Sequence, residues 1–228
     1  MSRQFNKVNK ILDIQRIIVS VLPILLAITF HEVSHGFVAN KLGDPTAKFL
    51  GRLTLNPIAH IDLVGTIIIP FVLFYISDGQ FIFGYAKPVP INPMNFRNPR
   101  RDMAISAAAG PITNIILALI SQLILEYIVP ATILLPESIG IAVQTPLAWM
   151  FESSIMINIV LAVINLIPIP PLDGGRVLVG FLPHKQAISY SKIEPYGFII
   201  VIILFVTKIA NILIYPLVAL LYILVKLL

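Results

Sequence analysis

Residues 17–30, IIVSVLPILLAITF, carry no charge and run without a break into His31-Glu32-Val33-Ser34-His35. How this stretch is read decides the fold. Histidines four residues apart share one face of a helix, so both imidazoles can reach one metal ion. The glutamate between them can act as general base. Two imidazoles and a carboxylate at membrane depth are costly, so a functional site is the default reading for them there. The bland alternative is a pair of satisfied, buried histidines.

Composition points the same way. The chain is 57% hydrophobic and 12% charged, against about 25% charged in ordinary soluble domains. Its 228 residues are one domain's worth, and a single unit over 1–228 is expected, built as a helical bundle in a lipid bilayer. Cysteine is absent, which excludes a disulfide framework and a thiolate zinc site. Any zinc must therefore use His and carboxylate. The net charge of +5 suits basic loops at an anionic cytoplasmic leaflet. No aromatic–basic patch supports a nucleic-acid partner. Arg3, Lys7, Lys10 and Arg16 before an apolar run look like a signal peptide, but no small-residue cleavage pattern follows. An uncleaved first helix is expected.

Working outward, apolar runs occupy residues 17–42, 63–83, 103–128, 147–167 and 198–225. A spanning helix needs about 20 such residues. The expectation is an all-α polytopic membrane protein with about five transmembrane helices (four to six). Gly43-Asp44-Pro45 is a good stop for the first. Residues 63–83, interrupted by Pro70 and by Asp78-Gly79, either span or re-enter. Lys87-Pro88-Val89-Pro90-Ile91-Asn92-Pro93 is too proline-rich for a helix and predicts extended chain. Residues 130–146 read as a linker. The run 198–225 would be about 42 Å long as one helix, more than a bilayer core needs, and is either one tilted helix or two pieces. Ala107-Ala108-Ala109-Gly110-Pro111 predicts close backbone packing at the start of the third run.

Topology is contested within the sequence. With five spans and a cytoplasmic N-terminus, most Lys and Arg fall inside, yet the HEVSH stretch and any ligand near residue 173 sit at different depths. An external N-terminus with a re-entrant 63–83 cures the mismatch but leaves four basic residues outside; a deep break at Pro168 would also reconcile the two depths, and the orientation stays open.

Catalytic zinc takes three protein ligands and a water, so one more ligand is needed. His60, Asp62, Asp78, Glu126, Glu152 and Asp173 are the candidates. Asp173 is the best of them. It follows the break at Pro168-Ile169-Pro170-Pro171, where freed backbone is tolerated only beside a cavity, and Gly174-Gly175 permits close approach. Its bland reading is the N-cap of a short helix over 175–181. His60 is the runner-up, with a loop histidine as its bland reading.

With these residues in hand, a resemblance is plain. HEVSH in an apolar helix, followed late in the chain by Asn165-Leu166-Ile167-Pro168-Ile169-Pro170-Pro171-Leu172-Asp173-Gly174, resembles the site-2 protease family of intramembrane zinc metalloproteases and its N-x-x-P-x-x-x-x-D-G motif. Ala109-Gly110-Pro111-Ile112-Thr113-Asn114 resembles the family's G-P-x-x-N element. Gly51-Arg52-Leu53-Thr54-Leu55-Asn56-Pro57 and Gly84-Tyr85-Ala86-Lys87-Pro88-Val89-Pro90 look like its compact prokaryotic branch. The resemblance implies one Zn2+ per chain on His31, His35 and Asp173, with Glu32 as catalytic base. It implies substrate contacts from Asn165, to which Asn114 is added as a second candidate, the bland reading of both being polar glue between helices, and leaves His60 as an accessory group. The substrate would be a transmembrane protein and the location a prokaryotic cell membrane. No PDZ domain or cystathionine-β-synthase pair is expected. Two other readings stay in view: a membrane metal transporter using Glu32 as a ligand, and a catalytically silent family member that binds membrane proteins.

Overall fold

The computed structural model describes residues 2–76, 84–207 and 209–228. Asp78, one of the ligand candidates, lies outside them. Among the described residues the chain is helical with no strands. The first helix, α1, is Ser2–Lys41. It ends because Gly43 adopts φ +113°. There the Asp44 N–H reaches back to the Ala39 carbonyl at 2.9 Å and the Gly43 N–H to Asn40 at 3.4 Å. These two bonds form a Schellman cap, which needs a residue free to take positive φ.

A short α2 (Thr46–Phe49) and an apolar α3 (Leu63–Ile76) follow, then α4 (Pro99–Leu123). Proline suits the first position of α4, where no N–H is required. The Asp102 carboxylate accepts the Asn98 N–H at 2.9 Å at the same end. Helix α5 is Glu137–Asn165. Past the Pro168–Pro171 break come α6 (Asp173–Phe181), α7 (His184–Ser191), α8 (Glu194–Val206) and α9 (Ile209–Lys226).

Helices α1, α4 and α5 form the centre of the bundle, and polar pairs fix their directions. Ser106 bonds to His35, and further along α4 Asn114 reaches back to Ala27, so α4 runs against α1. Asn114–Asn158 and Ser121–Ser154 set α5 against α4. Ser20–Ser153 at 2.8 Å then aligns α5 with α1. The C-terminal end of α1, the start of α4 and the end of α5 therefore lie together. Helix α9 closes the far half, with Ala210, Ile214 and Val218 against Ala118, Ile155 and Ile159.

Among the described residues, three helices are long and apolar enough to cross a membrane: Gln15–Lys41, Pro99–Leu134 and Glu137–Asn165. A fourth span arises if α7 and α8, bent by 65°, count as one. The expected linker over 130–146 is instead helical for most of its length, since α5 begins at Glu137 and carries Pro146 inside. Membrane helices accommodate such prolines because neighbouring turns and side chains satisfy the freed carbonyl. The long run over 198–225 divides between α8 and α9, two pieces as one of its two readings required.

The flanks of the run 63–83 are joined by hydrogen bonds. The Tyr85 N–H donates to the Gly65 carbonyl at 3.0 Å, and the Thr66 hydroxyl donates to the Tyr85 carbonyl at 2.9 Å. The two flanks of the run, at 65–66 and at 85, lie together, and residues 77–83 between them are outside the described residues.

Candidate metal centre

Helical spacing puts His31 and His35 on one face of α1, and both turn toward α4. They fit there because position 110 is glycine. A Cβ on Gly110 would stand 2.5 Å from His35 Nε2 and 2.6 Å from His31 Cε1. The Ala–Gly–Pro stretch read as a packing surface is thus the wall against which the two rings lie. Asp173 arrives from the other side, at the start of α6. The turn ahead of it is pressed so tightly onto the helix that a Cβ on Gly174 would meet the Leu166 carbonyl oxygen at 2.3 Å.

The three side chains converge. Asp173 Oδ2 lies 3.1 Å from His31 Nε2 and 3.3 Å from His35 Nε2, and the two nitrogens are 3.1 Å apart. All three residues are buried. They are the group that could hold a metal ion among the described residues. Their other atoms explain why. His35 Nδ1 lies 2.8 Å from the Ser106 carbonyl, which can only accept, so Nδ1 carries the hydrogen and in the neutral ring Nε2 presents a lone pair. Asp173 Oδ2 is buried with no hydrogen-bond partner. Acceptor atoms facing one another this closely call for a cation. Ligands at zinc distances on a tetrahedron stand about 3.3–3.4 Å apart, close to the three separations seen. The donor set, two imidazoles and a carboxylate, also suits zinc. The residues fit the metal.

Asp173 occupies the first turn of α6, while Leu172 holds the N-cap position, so the aspartate is not a cap. Glu32 sits beside the triad on α1, and its Oε2 accepts the Val89 N–H at 2.8 Å. Val89 belongs to the extended proline-rich segment, which is held from three directions. The Lys87 N–H bonds to the His60 carbonyl at 2.9 Å. The Arg52 guanidinium donates to the Lys87 carbonyl at 2.8 Å and to Ala59 at 2.5 Å. Buried Asp44 accepts the Asn92 N–H at 2.7 Å and the Asn95 amide at 2.7 Å, along with the Thr46 hydroxyl. Burial opposes the Asp44 charge, but these hydrogen bonds outweigh it and hold its carboxyl below the usual range. Asp44, read from sequence only as part of a stop signal, thus ties the end of α1 to the segment that touches Glu32. Between that segment and α6 lies a cavity of about 560 Å3, lined by Val89, Ile91, Met103, Gly175, Arg176 and Val179 among others.

The remaining candidates lie elsewhere. His60 is fully buried, with Nε2 2.8 Å from the Thr54 carbonyl, and it stands apart from the triad. Asp62 caps α3, accepting the Val64 and Gly65 N–H groups. Glu126 pairs with Gln122, well beyond Asn114 along the chain, and Glu152 is exposed on α5. Asn165 ends α5 with its amide on the Leu161 carbonyl at 3.0 Å. Asn114, expected at the substrate, is instead wholly buried behind His31, with Oδ1 2.5 Å from His31 Nδ1. Asn158, its neighbour on α5, escapes a reading from sequence alone. The available signal is an amide in an otherwise apolar run.

A family model described as "Peptidase family M50" matches residues 19–207. The chain belongs to peptidase family M50, the site-2 proteases. It is similar to "Putative zinc metalloprotease YwhC" of Bacillus subtilis, 38% identical over 200 residues that cover 86% of this chain and 84% of the relative. It is also similar to "Putative zinc metalloprotease Rip2" of Mycolicibacterium smegmatis, 28% identical over 82% of this chain and 66% of the relative. No solved structure matches. The matched span of the family model contains His31, Glu32, His35 and Asp173.

Proposed function

We propose that this chain is a zinc-dependent intramembrane endopeptidase that hydrolyses peptide bonds in or near transmembrane segments of membrane proteins. The observation that carries the reading is the convergence of His31, His35 and Asp173, with Glu32 beside them and an extended backbone segment bonded to that glutamate. One zinc per chain would be held by His31 and His35 through Nε2 and by Asp173 through Oδ2. When bound, zinc supplies Lewis acidity, polarising the scissile carbonyl and bringing water toward a pKa of about 7. The rest falls to the chain. Glu32 takes the proton of the attacking water and returns it to the leaving amine. The Val89 N–H holds Oε2, which leaves Oε1 for the proton. Asn165 remains a candidate for the substrate backbone, being partly exposed at the edge of the Pro168 break.

The extended segment offers a place for an unwound substrate. Pro88 and Pro90 have no N–H, so the edge of the extended segment bearing them offers only carbonyls, that of Pro88 already lying 3.4 Å from the Arg52 guanidinium. A substrate strand there must donate. Addition of a strand to such an edge supplies affinity through backbone hydrogen bonds and keeps the substrate from refolding into helix. The adjoining 560 Å3 cavity gives room for side chains next to the bond being cut.

Most Lys and Arg, including Lys41, Lys48, Arg52, Arg100 and Arg176, lie at the end of the bundle that carries the metal centre, so this end faces the cytoplasm of a prokaryotic cell membrane. Because α1 reaches that end with its C-terminus, its N-terminus lies outside. The cysteine-free chain suits labelling: Ser191→Cys is expected to react from the cytoplasmic side and Ser2→Cys only from the outside. Labelling of both from one side would overturn the arrangement.

In proteoliposomes carrying a transmembrane reporter, cleavage is expected, to be lost on chelation and to return on adding zinc. Metal flux without cleavage would establish the transporter instead. Reporter binding with neither activity would establish a silent binding protein. The single acid beside a three-ligand centre, without a ladder of further acids and histidines across the described bundle, favours hydrolysis.

A further inference from the structure

We infer that Asn114 and Asn158 are positioning residues that set the tautomer of His31, and that the direction of this relay is fixed by a backbone carbonyl on α5. The inference rests on the metalloprotease reading and deepens it. At the far end of the relay, Asn158 Nδ2 lies 2.9 Å from the Ser154 carbonyl. A carbonyl can only accept, so the NH2 end of the Asn158 amide must face it, and the oxygen end faces away. That oxygen is 2.8 Å from the Asn114 amide, whose facing end must therefore be NH2. The same NH2 lies 3.3 Å from the Ala27 carbonyl, a second acceptor-only group that fixes the same orientation. Asn114 thus presents oxygen to His31, and His31 Nδ1, 2.5 Å away, must carry the hydrogen. In a neutral imidazole this leaves Nε2 bare, the atom that faces Asp173 and His35.

Both amides of the relay are buried: Asn114 is 0% exposed and Asn158 1%. Neither can therefore turn over by exchanging its partners for water, and turning either would oppose two acceptors or two donors at a large cost. His35 reaches the same state more simply, through the Ser106 carbonyl. The two ligands are prepared by different means: one by a main-chain group, the other by a side-chain relay linking α1, α4 and α5. Bundle assembly and readiness to bind metal are coupled through it. The Ala27 carbonyl on α1 orients the Asn114 amide at 3.3 Å, and docking of α5 adds the shorter bond from Asn158 at 2.8 Å.

The test uses the full chain in nanodiscs, loaded with 113Cd as a zinc surrogate and with 15N-labelled histidine. The expected result is 113Cd–15N coupling at Nε2 of both His31 and His35, with Nδ1 protonated. Zinc affinity is read in parallel by chelator competition. Asn114→Leu is expected to weaken zinc about 10–100-fold, as loss of an outer partner typically does. Asn114→Asp keeps an acceptor toward His31 and is expected to restore most of that affinity, although it too loses the donation to Asn158. Asn158→Leu, which touches neither metal nor ligand, is expected to weaken zinc in the same direction but by less. If Asn114 only joined helices, the Asp and Leu variants would be equally affected. Such equality, or coupling at Nδ1 of His31, would overturn the relay while leaving the metalloprotease reading intact. A wild-type chain whose His31 binds no metal would instead overturn that reading. If Asn114→Leu does not fold, the coupling pattern of the wild type and the Asn158→Leu affinity decide the matter.

Discussion

Glu32→Gln is expected to abolish cleavage of a transmembrane reporter while leaving zinc and fold in place. The substitution preserves shape, and the amide oxygen can still accept the Val89 N–H that now reaches Oε2 at 2.8 Å. What it removes is the capacity to accept a proton from water. General-base catalysis is typically worth about 10²–10⁴-fold, so kcat should fall by that factor with zinc content unchanged. Because the substrate site is untouched, the variant should also hold uncleaved reporter, detectable by co-purification. A Glu32→Gln protein that cleaves at the wild-type rate would sink the mechanism. Loss of zinc on this substitution would make Glu32 a ligand and revive the transporter reading.

The second large effect belongs to Asp173. Asparagine in its place would have the same shape but offer a neutral amide oxygen, a poor zinc ligand. Asp173→Asn should therefore lose cleavage together with zinc, by more than the roughly 10–100-fold typical of outer-partner changes. Full, tight zinc in the Asp173→Asn protein, measured by metal analysis after chelator competition, would exclude Asp173 from the ligand set. His60→Ala is the control. His60 is also buried but bonded to the Thr54 carbonyl, so its removal should cost stability and spare zinc. Marked zinc loss there would bring His60 to the metal.

The candidate ligand pair was legible because a helix has a fixed period: any helix through residues 31–35 puts both imidazoles on one side. The third ligand was legible in kind, since an absence of cysteine leaves only His and carboxylate. Its position was harder to read, because six candidates competed and the choice depends on which loop returns to α1. The surroundings of Asn114 were hard to read for a related reason. An amide on a core helix has two outward directions, toward a cavity or toward a neighbouring helix, and sequence spacing does not distinguish them. Here it points at the back of His31.

By itself, the sequence determined that this chain is a helical membrane protein and that α1 presents two imidazoles on one face with a carboxylate between them. Local rules are enough for that: helical periodicity, the cost of polar groups in lipid, and the stop at Gly43. Only the tertiary structure decided the depth problem. Hydrogen bonds that join Gly65 and Thr66 to Tyr85, the second across 19 positions of chain, bring the two flanks of the run 63–83 together. The packing of α4 against α1 and of α5 against α4 leaves the ends of α1 and α5 at one face, so His31, His35 and Asp173 meet although most of the chain separates the histidines from the aspartate. Contacts at such separations depend on how whole helices pack, and no local preference encodes them.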